Sequence, residues 1–541
     1  MKSHIHLYLI VVGLFLLLIS GSFLTEGIAN IGLENGVVVK SIVRPNNFAD
    51  FWLPKVSDGA TIDAHGHLPM GFWIERTLMY LFGDSYLFDK IYSVIIFLLI
   101  AVLIVRIWVL IGNTVKTGWL PLAFWLVTPI VSWSATSNLV EGPQTIFVLL
   151  AVVSLLHAMR VRRGTDIYLT THEDNGYHRT HYMISYLWVV LAAIFAVLAF
   201  LTKGFSSLFV LAMPIIFWGI GKEYKIRYPI IDTAIIIGVW IVMALAMAFF
   251  TDGAYYVMNN YIGHIFESGR HEQTVASHFY ILYALIKQML IPVLALVIVC
   301  LVRLKNNHFA KYLVYWKYLD KLSEDDLRNT RYFYRFIFLA LSGVLPIMLV
   351  LKQQDYYLIT TIPLFAIAFG CIMNNIAMSR LNNLKPLANH ILMVLAIVML
   401  TAGVLSNLSS ISKYSNDQQL LDSMHVILPH LQEGEVVSVS PELMHNRVAA
   451  DYFYRYKKIQ FDSVLDHQHL ITMYMKVEQL ETEHYYAPVN TSTPLFKLYE
   501  VGEAPLVEEM IVEDTMATER DSIEHDPILH AARIEAAAYD F

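Results

Sequence analysis

IYSVIIFLLIAVLIVRIWVLIG, residues 91–112, is a run of the length that one crossing of a bilayer demands. A helical span needs about 20 predominantly apolar residues. Moved along the chain, that ruler marks about eleven candidates. They lie near 6–24, 91–112, 118–135, 143–159, 183–201, 205–220, 229–250, 279–302, 334–351, 357–376 and 389–407. Those at 118–135 and 205–220 are short, which fits a tilted or partly re-entrant segment. Of 541 residues, 56% are hydrophobic and only 15% charged, where a soluble domain carries about 25% charged residues. The expected fold class is a polytopic α-helical membrane protein.

Other classes are set aside by the same reading. A net charge of −7 gives nothing for nucleic acid to bind. No Walker A or Rossmann fingerprint appears, so no nucleotide cofactor is expected. Cys300 and Cys371 both sit in apolar runs and read as small core hydrophobes. Met1–Leu24 lacks an A-x-A-like cleavage site. Its apolar run, Leu7 to Leu24, exceeds the roughly 7–15 residues of a signal-peptide core. It therefore reads as a retained first span. No internal repeat is visible.

Lysine and arginine bias orients the spans. Arg160, Arg162 and Arg163 fall in one loop, and Lys222, Lys225 and Arg227 in the next. Arg303, Lys305, Lys311, Lys317, Lys321, Arg328 and Arg331 fall in a third, and Arg380 and Lys385 in the last. With these loops cytoplasmic, the N-terminus is inside. Residues 25–90, 251–278 and everything after about 410 are then outside. Residues 1–410 form the membrane domain, with 25–90 as its outer loop. Within that loop Ile28–Ile42 and Met70–Tyr80 suit short interfacial helices, and Phe51, Trp52, Phe72 and Trp73 suit headgroup depth. Residues 411–505 read as a small α/β domain. Its expected strands are Glu435–Ser440, Lys458–Phe461, Tyr485–Pro488 and Leu495–Val501, with a helix over Pro441–Tyr456. Residues 506–541 read as an acidic tail with a helix near Ile528–Ala538.

Ionisable residues at the outer ends of spans point to function, because charge is expensive in a bilayer. Glu26, in Leu24-Thr25-Glu26-Gly27, suits a general base; a helix start capped by Thr25 explains it equally. Asp63, His65 and His67 share one extended loop with Gly66 and Pro69. Metal binding, phosphate or sugar contact and a solvated loop all fit them. Glu141 opens the fourth span beside Pro143 and needs a partner from elsewhere in the fold, or water. Lys203, in Leu201-Thr202-Lys203-Gly204, has no local carboxylate. A phosphate suits it, and so does snorkelling to water. The loop 251–278 offers Asp252, Tyr255, Tyr256, His264, Glu267, Arg270, His271, Glu272 and His278. Of these, Arg270 suits a phosphate, and His264 suits a shared metal or an ordinary polar contact. Lys352, Tyr356 and Tyr357 close another outer turn as sugar contacts or interfacial anchors.

These corners together resemble the GT-C type glycosyltransferases that use polyprenyl-phosphate sugars. The nearest groups are the aminoarabinose transferases of lipid A and the protein O-mannosyltransferases. The resemblance spans roughly residues 5–375. Leu201-Thr202-Lys203-Gly204 matches the family's LTKG turn. His67-Leu68-Pro69-Met70-Gly71-Phe72-Trp73, with Leu81-Phe82-Gly83, looks like its proline-containing loop and amphipathic helix. Ala135–Pro143 resembles the segment ending in arginine-proline-aspartate, with Glu141 at the aspartate. His264 and Arg270 match its histidine-then-arginine loop, and Lys352–Tyr357 its lysine-rich turn. The family usually has paired acids after the first span, where this chain has Glu26 alone. Its metal-binding glutamate falls on Gly66, between His65 and His67.

The resemblance implies an inverting sugar transfer on the periplasmic face of a bacterial inner membrane. A glycolipid or protein would be the acceptor. Lys203 and Arg270, with Lys352, Tyr356 and Tyr357, would hold the donor phosphate. Glu26 would be the base, and Glu141 would orient the acceptor. From the residues themselves, a divalent ion on Asp63, His65, His67 and His264 is the one candidate cofactor. A flippase of lipid-linked sugars is the main alternative, and a phosphoethanolamine-type transferase or polymerase on similar carriers is a third. A transporter places its charges near mid-membrane within repeats, and here they cluster at span ends.

Overall fold

The computed structural model describes residues 5–42, 49–52, 68–85, 87–169, 175–222, 225–251, 255, 259, 261–263, 273–304, 324–382, 384–473, 484–491 and 493–502. The chain divides into two compact units, Met1–Gln418 and Gln419–Phe541.

The first unit is helical. Among the described residues, seven segments are long and apolar enough to cross a membrane: Phe88–Leu110, Glu141–Arg163, Thr180–Gly221, Arg227–Phe249, Tyr280–Ile298, Glu324–Leu349 and Pro386–Leu408. Two shorter apolar helices accompany them, Ile5–Ile19 and Ile362–Asn374. Ile230, Ile237, Ile241, Val242, Leu245 and Phe249 are all exposed along one of these helices. Water would not tolerate that stripe, and lipid does. The protein is a multi-pass membrane protein.

The expected span at 118–135 is not one continuous helix. It is two short helices, Trp119–Leu126 and Pro129–Ser134. Thr128 is extended, with Pro129 at the next helix's start, and proline disfavours helical backbone in the residue before it. The segment at 205–220 begins as a 3-10 stretch, Gly204–Ala212, before Met213–Gly221. It belongs to the long run Thr180–Gly221, which is interrupted at Gly204, where φ is +81°.

We number the helices that matter below. The first, α1 (Ile5–Ile19), pairs with α2 (Pro386–Leu408) at the far end of the unit's sequence. Two glycines let their backbones meet. A Cβ on Gly13 would lie 2.8 Å from Leu400 N, and one on Gly403 2.7 Å from Leu16 Cβ. Small residues at such crossings are how membrane helices gain packing without a hydrophobic drive. Asn407 Nδ2 donates to Leu16 O at 2.7 Å, and Ser410 Oγ to Ser20 O at 2.7 Å.

The helices expected within residues 25–90 form, as Asn30–Ser41 and Met70–Phe82. Their aromatic neighbours pack into the protein. Phe72 and Trp52 are buried. Phe51 stacks on Trp73, whose Nε1 donates to Phe51 O at 2.9 Å. Tyr80, Leu81 and Phe82 are the exposed apolar end of that helix instead.

The second unit is a five-stranded mixed sheet. Its strands are β1 (Val436–Val439), β2 (Gln460–Asp462), β3 (His469–Thr472), β4 (Tyr486–Pro488) and β5 (Lys497–Val501), in the order β2-β1-β3-β5-β4. β1 pairs in parallel with β2 and β3; β5 pairs antiparallel with β3 and β4. The central strand β3 was not expected. The single helix expected over Pro441–Tyr456 is two, Pro441–Met444 and Arg447–Lys457. Asn446 divides them by accepting a bond from Ala449 N at 3.1 Å as an N-cap. The acidic tail and its expected helix lie outside the described residues.

Replacing either glycine of the α1–α2 crossing by leucine forces the helices apart. Gly403→Leu and Gly13→Leu are each expected to cost about 2 kcal/mol or more, read as a lowered melting temperature in detergent. An unchanged melting temperature in both would refute the crossing.

Candidate functional site

Two charges meet where the long helices Glu141–Leu169 and Asn175–Lys203 begin and end. The Lys203 ammonium donates to Glu141 Oε1, a carboxylate 62 residues away. Lys203 is 14% exposed and Glu141 2%. Each charge matches its helix dipole, the acid at an N-terminus and the base at a C-terminus. Sequence singled out both residues but saw Lys203 as lacking a carboxylate. The fold supplies one. It leaves the second oxygen, Glu141 Oε2, buried with no hydrogen-bond partner.

Two tyrosines cover the lysine. Lys203 Nζ lies 5.1 Å from the ring centres of Tyr356 and of Tyr357. That is cation–π distance. Burial first, then the Glu141 charge, push the Tyr357 phenol up to about 12. Burial first, then Tyr357 and Glu141, push Tyr356 still higher. Both remain neutral hydrogen-bonding groups. Glu34, on the helix Asn30–Ser41, also acts on Tyr356. It is a carboxylate that the sequence reading passed over inside an apolar stretch.

The Lys203 turn is tightly built. Tyr261 Oη donates to Lys203 O at 3.1 Å. Burial raises its phenol far above the ordinary value, so it stays a donor. A Cβ on Gly204 would fall 1.6 Å from Tyr261 Oη and 2.3 Å from its Cζ. Gln144 Nε2 donates to Ser206 Oγ at 2.9 Å. A Cβ on Gly71 would press Val140 and Thr202 at 2.9 and 3.2 Å, so the amphipathic helix lies directly against both halves of the site.

The segment before Glu141 is pinned just as closely. Asn138 has φ +48°. Its Nδ2 donates to buried Glu75 Oε1 at 2.7 Å, and its amide to Ser93 Oγ at 3.0 Å. Its carbonyl accepts from Asn35 Nδ2 at 2.9 Å. Gly32 leaves room for Ser137 O, which would be 2.0 Å from a Cβ there.

The tyrosine turn is held from behind. Gln353 is buried. Its Oε1 accepts from Ile281 N at 2.8 Å, and its Nε2 donates to Val350 O at 2.7 Å and His278 O at 3.1 Å. Asp355 accepts from Tyr280 Oη at 2.7 Å. Gln288 Nε2 approaches Asp355 at 3.5 Å, while its Oε1 accepts from Ile130 N at 2.9 Å. Lys352 is half-buried in the same turn.

Glu26 is fixed by a different set of contacts. Its amide donates to Lys413 O and its carbonyl accepts from Ser415 N, both at 2.8 Å, in a parallel bridge with Tyr414. Buried Lys90 donates to Thr25 O at 2.8 Å and Thr25 Oγ1 at 3.1 Å. Thr25 is therefore not a helix cap; the next helix starts at Asn30 after Ala29. Arg270, Asp63, His65, His67 and His264 lie outside the described residues. Among the described residues no group of three or more His, Cys, Asp or Glu is placed to hold a metal.

No family model matches the chain, and no curated protein does. Among solved structures it is similar to ArnT from Cupriavidus metallidurans bound to undecaprenyl phosphate. That match has TM-score 0.49 and 12% identity, over 92% of this chain and 99% of that one. The apo state of the same protein gives TM-score 0.48 at 12% identity, over 92% and 98%. An Archaeoglobus fulgidus oligosaccharyltransferase tethered with an acceptor peptide gives 0.41 at 12% identity, over 85% and 64%.

The turn makes an ordered prediction. Gly204→Ala adds a Cβ where Tyr261 stands and strains a positive φ, so it is expected to cost well over about 1 kcal/mol. Tyr261→Phe loses one hydrogen bond, about 1 kcal/mol. Melting temperatures in detergent should fall further for the glycine change. The reverse order would contradict the geometry.

Proposed function

We propose that the protein is a GT-C type glycosyltransferase that moves a sugar from a polyprenyl-phosphate donor to an acceptor hydroxyl or phosphate. The observation that carries this reading is the buried Lys203–Glu141 pair under Tyr356 and Tyr357. It combines a cation for a phosphate, aromatic faces for a sugar, and a carboxylate oxygen with no partner. All of it sits where helices end, within reach of a lipid-borne substrate.

The sequence motifs point the same way and supply the remaining roles. Lys203, Arg270 and Lys352 bind the donor phosphate and stabilise the charge that builds on it as it leaves. Glu26 takes the acceptor's proton. Glu141 orients the acceptor. Attack opposite the phosphate inverts the anomeric carbon. Asp63, His65, His67 and His264 are kept as candidate ligands of a divalent ion and enter no step. The proposed topology has eleven crossings in a bacterial inner membrane, with the N-terminus in the cytoplasm. The loop 25–90 and the sheet unit are then periplasmic.

The test is a transfer assay with purified protein, polyprenyl-phosphate sugars and envelope extract. Release of polyprenyl phosphate is expected from wild type, reduced at least about 100-fold in Lys203→Ala and in Glu26→Gln. Movement of the intact lipid across liposomes without release would replace this reading with a flippase.

A further inference from the structure

The Lys203 ammonium meets Glu141, and the rings of Tyr356 and Tyr357, with centres 5.0 Å apart, lie together 5.1 Å from it. Lys203 is only 14% exposed, so a phosphate that approaches to hydrogen-bond distance crowds one of these neighbours. The rings are uncharged, and their turn is tied down by Gln353 and Asp355. Glu141 is the neighbour that a phosphate opposes directly. The donor's phosphodiester anion and a carboxylate on one lysine, at a largely buried site, repel each other.

We infer that the phosphate of the lipid donor displaces Glu141 from Lys203, so that the ion pair is a lock which the donor itself opens. This rests on the reading above that Lys203 takes the phosphate. Glu141 is then a free carboxylate only once the donor is seated. Its backbone stays in the first turn of its helix, where the dipole favours negative charge. Oε2 already lacks a partner, and release gives Oε1 the same need. Both oxygens then seek hydrogen-bond donors, and an acceptor hydroxyl supplies one. Donor binds first and acceptor second.

The competition has an unusual signature. A residue of the site, when neutralised, should improve binding of the donor phosphate. The free fraction of Lys203 sets the apparent affinity. Glu141→Gln raises that fraction, so undecaprenyl phosphate should bind about tenfold more tightly than to wild type, while transfer falls. Lys203→Ala should lose binding by at least about tenfold. The measurement is binding of undecaprenyl phosphate to full-length protein in nanodiscs, with melting temperature as the control for folding.

Equal or weaker binding by Glu141→Gln, with binding lost in Lys203→Ala, overturns the lock and leaves the phosphate site standing. Unchanged binding in Lys203→Ala overturns the phosphate site itself. Should Glu141→Gln fail to fold, Glu141→Asp carries the same test. Its shorter reach loosens the pair, so tighter binding than wild type is expected, and equal or weaker binding refutes the lock.

Discussion

The buried ion pair between Glu141 and Lys203 is the constraint around which this end of the membrane unit is arranged. Taking two charges out of water costs several kcal/mol each, and the pair recovers this only with good geometry. The geometry here depends on two backbone irregularities, Asn138 at φ +48° and Gly204 at φ +81°. Each is over-determined by neighbours. Glu75, Ser93 and Asn35 hold Asn138, and Tyr261 fills the space a side chain on residue 204 would need. Strained backbone persists only where its surroundings fix it in this way.

A second ion pair on the same helix shows what a purely structural clamp looks like. Arg162 NH1 and NH2 each reach one oxygen of Asp232 at 2.6 Å. The guanidinium lies 5.0 Å from the Tyr186 ring and 5.3 Å from that of Tyr228. Arg162 follows Glu141 by roughly 30 Å of helix at 1.5 Å per residue, about the thickness of a hydrocarbon core. Both oxygens of Asp232 are taken, and the planar fork of arginine suits a bidentate lock. Glu141 faces a lysine, makes one bond and keeps one oxygen open. The pair whose carboxylate is fully engaged binds helices together, and the pair with an open carboxylate oxygen has capacity left for a ligand.

Much of this could be read from sequence, for reasons that also explain the misses. Apolar runs located the helices because lipid imposes length and composition on each crossing. The break after Val127 escaped that ruler, since Thr128-Pro129 sits inside an apolar run. Strand β3, His469-Leu470-Ile471-Thr472, is too short for any alternation to register, and all four residues are buried. Glu141 and Lys203 stood out individually because charge is rare at a span end. Their pairing did not, since nothing local joins residues 62 apart. Gln288, Gln353 and Asp355 were passed over because an isolated amide or acid near a span resembles any other.

Those three residues complete the physical account. Irregular backbone is tolerated at membrane depth only where protein satisfies its polar groups. Splitting the segment at Pro129 leaves the amide of Ile130 without a helical acceptor, and Gln288 supplies one. The 3-10 turn Asp355–Leu358 carries the two tyrosines over Lys203, and Asp355 ties it to Tyr280 while reaching toward Gln288. The amide of Ile281, near the start of the helix Tyr280–Leu304, finds Gln353. At these two breaks an amide left without a helical acceptor is met by a side chain that fixes an element of the site. The irregularity that makes room for a substrate also positions the residues that would bind it.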